Sequence, residues 1–434
     1  MRKNVFQGYC FRFVAIILLT LFYNYQSDAQ SGSTLTLEYC QQQARENYPL
    51  LKQKTMLQQT SDLTIENISK AYLPTFEFNA QASYQSAVVE IPFQLPGQEI
   101  PEFPKDHYQF TLDVKETIYD GGTAREQKKI QEAGLLADQQ KVEVELFKLR
   151  QQVNLVYFAV LLGDKTIEQL NLTKEDLQKK YDQVNVTVKN GASLKSNAEQ
   201  IEAELLKNQQ RITEAFSVKV SYVKSLGLLI NQPLDPATIK LQTPVLVSEL
   251  PAYAINTRPD LVLLQHQQLN LEAMKGLTKT KTTPKAGAFA QLGYGRPGLD
   301  PFSTQFEPYY LAGLKVSWNI WNWNASSNER QIYTIQQDML NRQIEALDIN
   351  VKLQSIQQTE EIQKLQTLIE QDKQLITLRK NISKTASNQV DNGVITVTDY
   401  LTQVNAQYLA ELSLTTHELQ LIYAQVNYVT TLGK

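Results

Sequence analysis

The residues able to do chemistry are few and scattered. His107, His266 and His417 are the three histidines of the chain, and they fall in a strand edge and two unrelated helical stretches, without the spacing that would converge on a metal. Of the two cysteines, Cys10 precedes an apolar N-terminal run and Cys40 stands alone, so no intrachain disulfide is expected. No nucleophile motif or glycine-rich phosphate loop occurs, and paired carboxylates such as Glu360 and Glu361 read as solvated helix faces. The sequence therefore predicts no catalytic residue, no cofactor and no metal. A formal net charge of −3 without a basic stripe also sets nucleic acid aside as a partner. The chemistry that remains is interfacial: Tyr84, Tyr108, Tyr119, Tyr294, Tyr309, Trp318, Trp321 and Trp323 gather at the ends of alternating stretches, where rings with an apolar body and a polar tip suit a bilayer boundary.

Those stretches are the elements that position the rings. Phe76, Phe78, Ala80, Ala82 and Tyr84 alternate with polar residues, as do Tyr108, Phe110, Leu112, Val114 and Ile118. Ala286, Ala288, Ala290, Leu292 and Tyr294 repeat the pattern, followed by Tyr310, Ala312, Leu314, Val316, Trp318 and Ile320. Four strands are expected, each with one apolar and one polar face. A small soluble sheet shows the same alternation. The aromatic ends and the proline- and glycine-bearing loops favour a transmembrane β-barrel wall, lipid on one side and water on the other. Membrane barrels start at about eight strands, and open edges are not tolerated in lipid, so four strands per chain require copies of the chain to pool them.

Between the strand pairs run long helices. Val142, Leu146, Leu149, Val153, Val156 and Val160, then Ile167, Leu170, Leu177, Tyr181, Val184 and Val188, form a heptad seam interrupted by Gly163 and Lys174. The helix expected over 122–188 rises roughly 100 Å at about 1.5 Å per residue. A partial seam of Ile349, Leu353, Ile356, Ile362, Leu365, Ile369, Leu375, Leu378 and Ile382 marks a second long helix.

The chain also repeats itself. At one constant offset Ala44, Pro49, Leu51, Pro74, Ala80 and Tyr84 match Ala254, Pro259, Leu261, Pro284, Ala290 and Tyr294. At a slightly shorter one Leu112, Val114, Ile118, Val188, Asn190 and Gly191 match Leu314, Val316, Ile320, Val390, Asn392 and Gly393. The expected organisation is a signal peptide over 1–29, a first repeat over 30–230, a connector over 231–256 and a second repeat over 257–434. Each repeat opens with a helix, expected over 36–70 in the first and 257–280 in the second. The first repeat then holds a strand pair at 72–119, the long helix at 122–188 and a return helix at 193–227. The second holds a strand pair at 284–321, a long helix at 325–387 and a return helix at 398–432. Basic residues Arg2, Lys3 and Arg12, an apolar run from Phe13 to Phe22 and the small residues around Ala29 read as an export signal, and no later stretch is apolar for long enough to span as a helix.

This constellation resembles the TolC-like outer membrane efflux family over nearly all of the chain beyond the signal. The marks are Thr36-Leu37 with Ala44, Asn47 and Pro49, the run Arg258-Pro259-Asp260-Leu261, Leu112 and Val114 leading to Tyr119-Asp120-Gly121-Gly122, and Asn392-Gly393 followed by Thr396, Asp399 and Leu401. The resemblance implies a mainly helical fold with a membrane β-barrel portion: a homotrimer with a twelve-stranded barrel in the outer membrane lipid and an α-barrel tunnel in the periplasm. It implies a channel subunit of a tripartite efflux or type I secretion-like system, with a periplasmic adaptor and an inner-membrane transporter as partners. It makes Gly191 and Gly393 the periplasmic tip turns. Asp399 matches an acidic ring position at the pore entrance, with Asp391 a second candidate, although Thr398 or Asp399 could equally cap the return helix. Thr402 stands where the family has a second acidic position and Ile395 where it has a basic gating one, and Trp321-Asn322-Trp323-Asn324 replaces a second Asp-Gly-Gly-like turn. A periplasmic adaptor or structural coiled coil is the alternative. It shares the helical hairpins but not the two strand pairs.

Overall fold

The protein is described from a computed structural model over residues 34–88, 103–247 and 249–434. The expected export signal and much of the loop between the first two strands lie outside these residues. The element order is α1 (Leu37–Asn47), α2 (Pro49–Ser69), β1 (Thr75–Tyr84), β2 (Asp106–Tyr119), α3 (Thr123–Lys189), α4 (Lys195–Ile230), α5 (Pro259–Thr280), β3 (Lys285–Arg296), β4 (Glu307–Ser317), α6 (Ala325–Asp391) and α7 (Val397–Thr431). None of the described helices is long and apolar enough to cross a membrane.

The first helix expected from sequence is two. Proline at position 49 forces its predecessor out of helical space, and Tyr48 is extended at ψ 126°, so α2 restarts with Pro49 in its first turn. The second repeat obeys the same rule, with extended Arg258 before Pro259.

Two compact units make up the chain, and they cut across the sequence repeat, because each draws on both halves. One unit contains 48–148, 251–357 and 428–434. It holds the sheet, whose strands run antiparallel in the order β1-β2-β3-β4. Here Ile255, Leu261 and Val351 form a core, and Arg258 pairs with Asp260, donates to the Thr431 carbonyl and lies over the Phe147 ring. The fourth strand ends at Ser317, because its partner β3 begins at Lys285, just after Pro284. Trp318 and Ile320 continue the alternation in sequence but lie beyond the strand.

The other unit contains 149–250 and 358–427 with the N-terminal residues through Asn47. The heptad seam of α3 is buried as expected: Leu149, Val153, Val156, Val160, Leu170, Leu177 and Val184 are all core residues. Gly163 interrupts it for a reason. A Cβ there would stand 3.2 Å from the Lys219 Cβ on α4, and the Lys219 ammonium reaches back to Asp164 at 2.6 Å. Lys174, the other interruption, is held at the surface by Gln209 at 2.7 Å. The seam of α6 is only partly internal. Ile362, Leu365 and Ile369 are buried, whereas Ile349, Leu353, Ile356, Leu375, Leu378 and Ile382 are exposed, leaving apolar ridges that the chain's own helices do not cover.

Candidate pore entrance and membrane face

The sheet separates its two faces by register. On one face Phe78, Leu112 and Leu292 lie side by side, as do Phe76, Val114 and Ala290, and then Ala288 and Leu314. The larger side chains of this face are exposed, Phe76 and Phe78 at 69% each and Leu314 at 77%, while Val114, Ala288 and Ala290 between them are half-buried. The other face is polar and knitted around one carboxylate. Asp113 on β2 accepts from Asn79 on β1 at 2.8 Å, from Gln291 on β3 at 2.6 Å and from its own neighbour Thr111 at 3.0 Å. Lys115 pairs with Glu77 at 3.3 Å on the same face. An uncovered apolar face opposite a hydrogen-bonded polar one is the arrangement of a wall between lipid and water. Among the described residues, both β1 and β4 have one unpaired edge.

Most expected interface aromatics lie at the ends of the strands or just beyond them. Tyr84, Tyr108 and Tyr294 lie toward the loops, with Phe306 stacked on Tyr294 at 5.6 Å and tilted against Tyr108 at 5.9 Å. Tyr119, Trp318, Trp321 and Trp323 lie where the strands meet the helices. Tyr309 is different. It belongs to the polar face, where its hydroxyl accepts from Gln109 at 2.6 Å and its ring covers Gly293.

In the other unit, the two helix-to-helix turns carry Gly191 at φ 73° and Gly393 at φ 68°, left-handed conformations that favour glycine. Val184, Ala198, Ile201 and Val397 form a core beneath them, joined by Val188, Leu205, Val390 and Leu401, so α3, α4, α6 and α7 all meet there. Asp391 and Asp399 have separate surroundings. Asp399 and Thr396 form a capping box: the Thr396 hydroxyl accepts from the Asp399 N–H at 3.1 Å, and Asp399 Oδ2 accepts from the Thr396 N–H at 3.1 Å and its hydroxyl at 2.7 Å. The cap of α7 is thus Thr396, not Thr398 or Asp399. These bonds hold the exposed Asp399 carboxyl below its ordinary range. Thr402 is exposed and donates to the Thr398 carbonyl at 2.9 Å, and Ile395 is half-buried.

Asp391 instead receives Lys180, which no sequence pattern singled out. Lys180 on α3 is 3% exposed, and its ammonium reaches Asp391 at 2.8 Å and both the carbonyl and the hydroxyl of Ser387 at 3.0 Å. It also lies 5.0 Å from the centre of the Tyr400 ring. Every donor of the ammonium is met, and one side chain ties α3 to the end of α6 and the start of α7. Burial, with Asp176 and Asp391 nearby, pushes the Tyr400 phenol up to about 12.

No family model matches the sequence, and no curated protein matches it either. Solved structures do. The chain aligns over 95% of its length with 96% of CusC, described in terms of transmembrane channel formation, at 15% identity and TM-score 0.70. It aligns over 92% with 96% of the outer membrane protein VceC of Vibrio cholerae, at 14% identity and TM-score 0.68. It aligns over 92% with 88% of the MtrE outer membrane channel of Neisseria gonorrhoeae in its open state, at 16% identity and TM-score 0.68. The chain has the outer membrane channel fold. That is the fold the sequence resemblance implied, here with four strands and two long helices per chain.

Proposed function

We propose that this chain is the outer membrane subunit of a tripartite efflux or type I secretion-like system, a passive homotrimeric conduit from periplasm to exterior. The sheet carries the reading. Its apolar face is uncovered, its opposite face is a polar network around Asp113, and both edge strands are open. Such a sheet is stable in lipid only once closed, and three copies supply the twelve strands of the family's barrel. The exposed ridge of Ile349, Leu353 and Ile356 on α6 gives a second surface for neighbouring copies to cover. An adaptor or structural coiled coil needs no uncovered lipid-like face on a sheet.

On this reading the turns at Gly191 and Gly393 are the periplasmic tips, offered to an adaptor beneath an inner-membrane transporter. Three Asp399 residues ring the entrance. Capping does not prevent this, because both bonds from Thr396 fall on Oδ2 and leave Oδ1 free to face a cation. The Lys180, Asp391 and Tyr400 contact then links the inner and outer helices of the entrance. The deciding experiment is reconstitution in planar bilayers with cross-linking. Single-channel conductance from a cross-linked trimer is the expected result, and a monomer that dissolves in carbonate without detergent defeats the reading. Asp399→Ala should weaken block by divalent cations, and unchanged block removes the ring.

A further inference from the structure

The polar face of the sheet holds a concavity of about 730 Å³ at its helix-proximal end, bounded by β2, β3, β4 and the start of α3. Register orders its side chains in rows. Asp113, Gln291 and Leu311 share one row, and Lys115, Phe289 and Gly313 the next. Lys315 lies opposite Gly287 one row nearer the helices, and Lys285 opposite Ser317 beyond it. Two glycines make the room. A Cβ on Gly313 would stand 2.9 Å from Cζ of Phe289, so the ring reaches across onto β4. A Cβ on Gly287 would stand 2.8 Å from the Glu116 carbonyl oxygen, and its absence leaves the floor open beside Lys315.

The charges of this concavity are unequally matched. Asp113 is met by Asn79, Gln291 and Thr111, and Lys115 pairs with Glu77. Asp120 accepts from the Tyr72 hydroxyl and from the N–H groups of Gly122 and Ala124. Glu116 belongs to the opposite face, in register with Ala288. Lys285 and Lys315 have no acidic partner among the described residues. They are diagonal neighbours on one face, where like charges repel and an anion between them relieves the repulsion. Close by, Phe289 and Leu311 are large apolar side chains on a face that otherwise carries glycines and polar groups, and Leu311 is 46% exposed. Two unmatched cations beside an apolar patch, in a space of small-molecule size, describe the complement of an amphiphilic anion.

We propose that this concavity is a transit site for amphiphilic organic anions, which set an apolar body against Phe289 and Leu311 and an anionic group between Lys285 and Lys315. The proposal rests on the channel reading and names a class of cargo that the barrel favours. A conduit must release what it holds, and exposed lysines allow that, because an ion pair with a solvated ammonium is weak. The test is block of single-channel current by naphthalenesulfonate, in phosphatidylcholine bilayers so that no anionic lipid competes. Methanesulfonate, which lacks the apolar body, and naphthylmethyl-trimethylammonium, which reverses the charge, are the comparisons. Naphthalenesulfonate should block at a concentration about tenfold below either. Lys285→Gln/Lys315→Gln should raise its half-blocking concentration about tenfold in a channel that still opens, and Lys285→Arg/Lys315→Arg should keep the block. Phe289→Thr should weaken block by naphthalenesulfonate and leave that by methanesulfonate as it was.

Naphthalenesulfonate block that is unchanged in the glutamine variant, or that methanesulfonate matches, overturns the site and leaves the channel standing. Equal block by the cationic analogue does the same. A chain that forms no channel overturns both readings. Should the double glutamine variant fail to conduct, Lys315→Gln alone carries the comparison, because its side chain is exposed and bonds to no other described residue.

Discussion

Lys180 is the residue whose environment departs most from its type. Lysine on a polar helical face is ordinarily solvated, yet this one is buried with three oxygen acceptors from Ser387 and Asp391 and an aromatic face from Tyr400. Asp391 keeps half its surface in water, so removing the lysine leaves a carboxylate that can rehydrate. Lys180→Met should therefore cost only about 1–3 kcal/mol of stability, measured by urea unfolding. Its larger effect should be on the entrance, as a higher open probability in bilayers, because the tie between α3 and the α6–α7 turn is gone. A protein that loses stability without any change in opening confines Lys180 to structure. The capping box beside it has a pH signature. The Asp399 carboxyl is lowered by the bonds from Thr396, so folding favours its charged form. Its contribution is complete above the ordinary carboxylate value of 3.8 and is lost as pH falls below that range. Hydrogen exchange of the first turn of α7 should lose protection over that acidic window, and Asp399→Asn should flatten the dependence.

At the scale of elements, glycine serves two different needs, and substitution separates them. A Cβ on Gly393 would meet nothing within 4 Å, so Gly393→Ala bears only the left-handed conformation, about 1–2 kcal/mol. A Cβ on Gly293 would stand 2.1 Å from the Tyr309 ring carbon that bears the hydroxyl, so Gly293→Ala must displace the ring and its bond with Gln109. Thermal unfolding in detergent should show Gly293→Ala rescued by Tyr309→Ala, while Gly393→Ala is indifferent to that change. Much of the element order was legible in one sequence because alternation and heptad seams record which face is buried. Three things were not. The strand after Glu307 stops at Ser317 because its partner does, although alternation continues through Ile320. The ridges on α6 read as one seam, but only its middle meets the chain's own helices. Lys180 and Asp391 are bonded across 211 positions, and neither residue's local pattern encodes the other.

For the molecule as a whole, the decisive property is the solvent on each face of the sheet. If the face of Phe78, Leu112 and Leu292 meets lipid, charge there is penalised by depth. Leu292 lies near the middle of β3, beside Leu112 on one side and Tyr310 on the other. Leu292→Lys should then destabilise the folded protein in vesicles by about 2–4 kcal/mol, as lysine does near the midplane of a membrane barrel. Its neighbour Gln291 points to the opposite face, so Gln291→Lys places the same charge, one residue away, in the watery interior, and the loss of one bond to Asp113 should cost about 1 kcal/mol. In a soluble sheet the order reverses. Leu292 is 57% exposed, and lysine at an exposed strand position is tolerated within about 0.5 kcal/mol, leaving Gln291→Lys the costlier change. Urea titration of both variants refolded into the same vesicles measures that order directly. Because both variants add one positive charge to the same strand, the difference in net charge cancels, and the order of the two costs reports the medium on each face.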